Sequence, residues 1–403
     1  MLNEPATGRS LSSLEYSQKI ISVYRGWEAF ERARSGPHII DFDLTHLLDT
    51  ARFDSRMEIL AALERLVDDL DDASQEGVYL RDKMLGSTFY LRALLGQQIP
   101  FPQYVQHTLG FAIKPFTDEE IKKARIKVNM LLSPFGIQLE PKYKAEFDAR
   151  LTIKDPEEIK RGITGNQELW LSRLREQGIP TPKRFDLHVE FVEVDAYWSN
   201  WISGSVAEGV RLRINLHSRR KYESGRPLAL CLHEICGHAM QMLVWRDLIA
   251  QGVINPACGL TTVHSPECFV SEGLGQTVAD FLGEEAEFPP EFWLSRSLQY
   301  YNLMVLNNAH LMIYDGAPIE EIFRYVQSRL PFFTPLAIEA ELRDRAANPL
   351  YRAYQLSYAA AEHMITGLTR SLTPQQRRRF LVELYLRPMT PKQLQQFVER
   401  LKE

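Results

Sequence analysis

The sequence predicts a mostly α-helical protein with a small β-ribbon. Apolar residues recur at helical spacing through most of the first 180 residues, and strict alternation of apolar and polar residues is confined to two short stretches. The helical pattern resumes after Pro227 and continues to the C-terminus. We expect a helical N-terminal region, residues 1–180, and a second region, residues 181–403, within one continuous structural unit.

Four helices are predicted in detail in the N-terminal region. Residues 47–70 and 78–95 carry apolar side chains at intervals of three and four positions. A third helix is expected to begin after Thr117, because Thr117 and Glu120 have the spacing of a capping box. The fourth is expected over residues 156–178, with a proline at its first position.

Two stretches of the second region have the pattern of half-buried strands. They are residues 186–194 (DLHVEFVEV) and residues 209–217 (GVRLRINLH), in which apolar and polar residues alternate. We expect the two strands to pair as a small antiparallel ribbon beside the helix that follows them.

Composition limits the classes of function. The chain has 403 residues and a net charge of -5, which argues against a general nucleic-acid-binding protein. The N-terminus lacks the apolar core of a signal peptide, and no stretch reaches the roughly 18 apolar residues of a membrane span. We expect a cytoplasmic protein that binds neither nucleic acid nor a membrane.

The cysteines do not predict a structural metal site. Cys231, Cys236, Cys258 and Cys268 form no CxxC pair. In a reducing compartment they are expected to be thiols. A disulfide between Cys258 and Cys268 is the alternative for a secreted protein.

One apolar helix carries a candidate metal-binding motif. Residues 228–242 (LALCLHEICGHAMQM) contain His233, Glu234 and His238. The histidines are at positions i and i+5, which a regular α-helix places on different faces. A π-bulge would bring both onto one face, and Gly237 would tolerate the local distortion.

The alternative interpretation is that these histidines are packed core residues. A buried glutamate is costly unless a cation or a partner compensates it, and Glu234 lies between the two histidines in an apolar helix. This cost favours a metal site. Given a metal, Glu234 would act as the general base that accepts a proton from the activated water.

A catalytic zinc site needs a third protein ligand, and the best candidate is Glu272. It lies in the stretch SEGLGQ, where Ser271 is predicted to be the N-cap of a helix that continues to residue 282. Alone, Glu272 would be an ordinary first-turn acid. Glu267 and His264 are the rival ligands. Zinc suits two histidines and a carboxylate, and the same donors also suit non-haem iron.

The two motifs, HEICGHAMQ and SEGLGQ, resemble those of gluzincin-like zinc metallopeptidases. Three groups are similar: the uncharacterised bacterial helical family with domain of unknown function 885, related to carboxypeptidase Taq; dipeptidyl-peptidase III; and the tubulin tyrosine carboxypeptidases. The likeness covers roughly residues 186–370, although Leu274 stands where the first group has tryptophan. It implies zinc held by His233, His238 and Glu272, with Glu234 catalytic.

The same resemblance suggests donors for a developing oxyanion. Tyr358 and His310 are candidates, because each lies in a stretch similar to the first group. Tyr354 is four residues before Tyr358 on the same helix face and is an alternative donor. The competing interpretations are a packing aromatic for Tyr358 and a hydrogen-bonded core histidine for His310.

Arginines are candidates for binding a substrate carboxylate. Arg211 and Arg213 lie on the strand before the metal helix, which in the wider superfamily lines the cleft, and Arg352 lies further along the chain. A carboxylate bound by one of them would make the protein a carboxypeptidase, whereas surface arginines are the plain alternative. Glu267 and Asp280 are candidates for orienting a histidine ligand.

The sequence therefore predicts a zinc-dependent hydrolase of a peptide or peptide-like amide bond. Three alternatives remain: a hydrolase of a non-peptide amide, a non-haem iron enzyme, and a non-catalytic binding protein that keeps the fold.

Overall fold

The computed structural model describes residues 13–47, 49–70, 74–196 and 198–403 and is mostly helical, as predicted. The helices of the N-terminal region are α1 Ser13–Arg32, α2 Arg56–Asp69, α3 Gln75–Leu94, α4 Phe101–Thr108, α5 Asp118–Leu132, α6 Lys144–Leu151, α7 Pro156–Thr164 and α8 Gln167–Glu176. The first helices of the second region are α9 Arg226–Leu230, a π-helix at Cys231–Ala239, α10 Met240–Ala250, α11 Pro266–Thr277 and α12 Ala279–Leu282. The last are α13 Pro290–Tyr314, α14 Ile319–Arg329, α15 Pro335–Ala347, α16 Ser357–Thr369, α17 Pro374–Leu386 and α18 Pro391–Lys402.

Capping side chains explain where the N-terminal helices begin. The capping box of Thr117 and Glu120 is present at the start of α5, as predicted. Helix α2 begins later than predicted, because the Ser55 side chain accepts a hydrogen bond from the backbone N–H of Glu58 and serves as its N-cap. The single helix predicted over residues 156–178 is wrong, since residues 165 and 166 separate α7 from α8.

The strands are β1 Phe42–Asp43, β2 Leu187–Val192, β3 Asn200–Ser205, β4 Gly209–Asn215 and β5 Leu260–Thr261. They form one mixed sheet in the order β2-β4-β3-β1-β5. The predicted antiparallel pairing of the first two stretches is wrong, because β2 runs parallel to β4. Strand β3, which was not predicted, pairs antiparallel with the edge of β4 that faces away from β2.

The helix that carries His233 and His238 is a long core helix. Residues Arg226–Ala250 form 25 continuous helical residues that are apolar enough to cross a membrane by length and composition. However, 83% of the most apolar 18-residue stretch of this helix is buried inside the protein. Helix α11 packs closely against it, because a Cβ added at Gly237 would lie 2.9 Å from the Cα of Gly275. The prediction that Ser271 caps this second helix is wrong: Ser265 is its N-cap and Ser271 lies within it.

Candidate metal centre

The π-helix brings His233 and His238 onto one face, as their five-residue spacing predicted. Their ring centroids are 4.7 Å apart with ring planes at 83°. The two Nε2 atoms are 3.0 Å apart. Both nitrogens therefore point toward one position.

Glu272 completes a triangle of donor atoms. Its Oε2 is 3.3 Å from Nε2 of His233 and 3.7 Å from Nε2 of His238. Ligands that bind zinc tetrahedrally at about 2.0–2.1 Å are separated by about 3.3 Å, so the three separations fit one zinc ion. Oε2 is also buried without a hydrogen bond of good geometry, an arrangement that a cation would compensate.

Protonation of the site follows from its contacts. Burial by itself would raise the pKa of Glu272, but the imidazoles of His233 and His238 lower it to about 2. Burial lowers the pKa of His238, yet the nearby Glu272 carboxylate raises it above the ordinary value. Glu272 is thus a carboxylate, the form that binds a metal ion.

A hydrogen-bonded chain orients His238. Its Nδ1 lies 2.9 Å from Oγ of Ser271, and the Ser271 hydroxyl donates to Oε1 of Gln241 at 2.9 Å. Because that hydroxyl proton is used, Nδ1 of His238 must be the donor to Ser271, which leaves Nε2 free to bind a metal. The Gln241 amide in turn donates to the backbone carbonyl of Leu384 at 2.8 Å. The sequence did not predict this role for Ser271 or Gln241.

Gly275 provides space for the other histidine. A Cβ added there would lie 2.7 Å from Cε1 of His233, closer than real Cβ contacts allow. Any side chain at this position would displace the imidazole. The glycines around Glu272 therefore allow both close helix packing and a ligand ring between the helices.

Glu234 lies beside the donor triangle. It is 3% exposed, and its Oε1 is 3.8 Å from Nε2 of His233. The same oxygen accepts a hydrogen bond of 2.6 Å from the side-chain amide of Asn200 on β3. This bond orients the carboxylate, and Asn200 is a site residue that sequence reasoning missed because β3 was not predicted.

A cavity of about 760 Å³ is lined by His233, Glu234, His238 and Glu272. Tyr354, Tyr358 and Arg352 line it too, and the rings of the two tyrosines are 6.4 Å apart. Burial, followed by the charge of Glu272, raises the pKa of Tyr358 well above its ordinary value, so its hydroxyl remains protonated. Arg352 pairs with Asp344 at 2.9 Å.

Other predicted residues lie away from this cavity. Arg213 is not among its lining residues and packs over the Trp198 ring, with 5.5 Å between the guanidinium carbon and the ring centroid. Arg211 pairs with Glu190 at 2.7 Å. The expectation that their strand lines the cleft is wrong, because β4 lies between β2 and β3 and it is β3 that faces the cavity.

His310 has the contacts of a core histidine. It is fully buried, its Nε2 donates to the carbonyl of Pro349 at 3.0 Å, and Arg345 donates to its Nδ1 at 3.3 Å. Burial and Arg345 lower its pKa to about 3. It is therefore a core histidine, since both of its ring nitrogens are used and it does not line the cavity.

The rival ligands and orienting acids are occupied elsewhere. His264 stacks on Tyr90 with 4.1 Å between ring centroids, and Glu267 forms a buried ion pair with Lys83. Asp280 pairs with Arg296. Free thiols are present at all four cysteines: Cys231, Cys236, Cys258 and Cys268.

Comparison with known proteins shows similarity of fold. No family model and no curated protein matches the chain. A "putative lipoprotein" from Colwellia psychrerythraea aligns with a TM-score of 0.59 and 14% identity, over 85% of this chain and 66% of that one. A "putative lipoprotein of unknown function" from Shewanella oneidensis aligns with a TM-score of 0.52 and 12% identity, over 85% and 71%. The chain thus spans about two thirds of their length, and the likeness shows the fold alone.

Proposed function

We propose that this protein is a zinc-dependent hydrolase of the gluzincin-like metallopeptidase type that cleaves a peptide or peptide-like amide bond. The observation that carries the proposal is the donor triangle of His233, His238 and Glu272, with separations of 3.0, 3.3 and 3.7 Å. The carboxylate of Glu234 beside it supports a hydrolytic reaction, because a purely structural metal site needs no adjacent base.

Zinc held by these ligands would supply an activated water and polarise the carbonyl of the scissile bond. Glu234 accepts a proton from the water while the water oxygen attacks the carbonyl carbon. It then delivers that proton to the leaving nitrogen as the carbon–nitrogen bond breaks. Asn200 holds the carboxylate in position for both transfers through its hydrogen bond to Oε1.

Tyr358 lines the same cavity and supports the same reaction. Its protonated hydroxyl is suited to donate a hydrogen bond to the carbonyl oxygen as negative charge develops there. The position of Arg352 in the same cavity is consistent with a carboxypeptidase, although its guanidinium is already paired with Asp344. A cavity of about 760 Å³ has the size of a small-ligand site, which favours a short substrate.

The test combines metal analysis with hydrolysis. We expect one zinc per native chain and cleavage products when the zinc-loaded protein is incubated with a mixture of short peptides and analysed by mass spectrometry. Glu234→Gln should retain zinc and lose about 10²- to 10⁴-fold in rate, the usual contribution of a general base. Glu208→Gln, at an exposed turn, is the matched control and should be fully active.

Two results would contradict the proposal. One is native protein that takes up no zinc when the metal is added. The other is a Glu234→Gln variant that cleaves peptides as fast as the native protein.

A further inference from the structure

Asp41 is an acidic residue of the cavity wall that the proposed reaction does not use. It comes directly before β1 and lines the same cavity as the metal ligands. Its backbone N–H donates to the carbonyl of Thr261 at 2.9 Å, and its carbonyl accepts from the N–H of Gly204 at 3.0 Å. These bonds to both neighbouring strands hold the residue in a defined position.

The two cations whose charges act on Asp41 are already paired with other carboxylates. His38 contacts Oε1 of Glu28 at 3.0 Å through its Nδ1. Lys83 forms a buried ion pair with Glu267. Among the described residues, no side chain donates a hydrogen bond to the Asp41 carboxyl. The cations near this carboxyl group therefore act on it only through their charge and not through a hydrogen bond.

The pKa of Asp41 reflects its burial and the charges of the side chains around it. Burial raises the pKa of Asp41 to about 7, the charge of His38 partly opposes this, and the carboxylates of Glu28 and Glu272 add to it. Lys83 lowers it slightly. A positively charged ligand group would relieve the cost of ionising Asp41 at this position.

An aromatic side chain of the same cavity suits a cation as well. Trp201 lies on β3, the strand that pairs with β1 directly after Asp41, and the faces of aromatic rings attract ammonium groups. A carboxylate and an aromatic ring in one cavity form a combination that binds amines.

We propose that Asp41 binds the protonated amino group of the substrate, so that the protein selects short peptides or amides with a free amine. This inference rests on the proposed function for its location beside a reactive centre. The ammonium group would donate hydrogen bonds to the Asp41 carboxylate while the scissile carbonyl lies at the metal ligands.

The first test uses matched substrates. Short peptides are offered to the zinc-loaded protein in pairs that differ only in Nα-acetylation. We expect native protein to favour the free amine by about 10-fold or more in kcat/KM, as for a buried hydrogen bond to a charged group. Asp41→Asn should bring this ratio close to one while retaining zinc. Asp54→Asn, at an exposed position outside the cavity, should keep the native ratio.

The second test separates failure of this inference from failure of the proposed function. Binding of phenylalaninamide and of its N-acetyl form is measured by calorimetry, which requires no hydrolysis. We expect phenylalaninamide to bind native protein about 10-fold or more tightly than it binds Asp41→Asn. Equal binding of the two forms to native protein, or an amine preference that persists in Asp41→Asn, would overturn the role of Asp41. Amine binding without any peptide cleavage would leave Asp41 as a ligand site and reject the hydrolase.

Discussion

Glu267 and Glu272 lie five residues apart on α11 and have opposite surroundings. Glu272 faces two imidazoles, and its Oε2 is 3.3 Å and 3.7 Å from their Nε2 atoms. Glu267 faces the ammonium group of Lys83 from α3, and the Lys83 side chain is fully buried. Both carboxylates are thus enclosed by the protein on one helix.

The difference shows how a neighbour decides the role of a buried acid. Lys83 supplies a permanent positive charge, which already compensates the charge of the Glu267 carboxylate. His233 and His238 supply lone pairs when neutral, so together with Glu272 they form a set of donors that lacks a cation. Three variants or conditions can break or sharpen this comparison.

The largest effect is expected for Glu272→Gln. An amide oxygen is a much weaker zinc ligand than a carboxylate. Even residues that only hydrogen-bond to a metal ligand contribute about 10- to 100-fold to metal affinity. Zinc affinity should therefore fall by more than about 100-fold, as measured by titration against a competing chelator. Unchanged zinc affinity would remove Glu272 from the ligand set.

Glu267→Gln should have the reverse signature. It leaves the buried ammonium of Lys83 without its counter-charge, which typically costs about 3–5 kcal/mol of unfolding free energy. Urea unfolding of the metal-free protein measures that loss, and zinc stoichiometry should remain that of the native protein. If the variant instead loses zinc but not stability, the assignment of the two acids is wrong.

The smallest effect concerns pH in the metal-free protein. The pKa of Glu272 is lowered to about 2, so its contribution to stability is present above its ordinary pKa of 4.5 and is lost as pH falls toward 2. The pKa of His238 is raised, so its contribution is present below its ordinary value of 6.5 and is lost as pH rises through the raised value. The contact between them should stabilise the fold most between these two ordinary values.

The measurement is the difference in unfolding free energy between native protein and Glu272→Gln, followed from about pH 3 to about pH 9 in the presence of a chelator. We expect a maximum at mildly acidic pH and a decrease on both sides. A difference that does not vary with pH would show that the two groups are not coupled.

The sequence predicted the helix of His233 and His238 in detail. The five-residue spacing of His233 and His238 required a π-helix, and that π-helix is present. The capping box at Thr117 was also correct. Each depends on residues within about two helical turns of one another, so the local chain geometry determines the outcome.

The strands and the surroundings of the site depended on distant pairing. An alternating pattern identifies which residues are extended, but it does not determine whether β2 runs parallel or antiparallel to β4. The roles of Ser271 and of Asn200 likewise depend on contacts with residues more than 30 positions away.

By itself, the sequence determined the helical class, the π-helix and the three candidate ligands, because these follow from spacing within short segments. Only the tertiary structure decided that Asn200 orients Glu234, that Ser271 orients His238, that His310 and Arg213 lie outside the cavity, and that Asp41 lies within it. The physical reason is that a side chain's role depends on the partner that packing brings to it, and those partners are far away in the sequence.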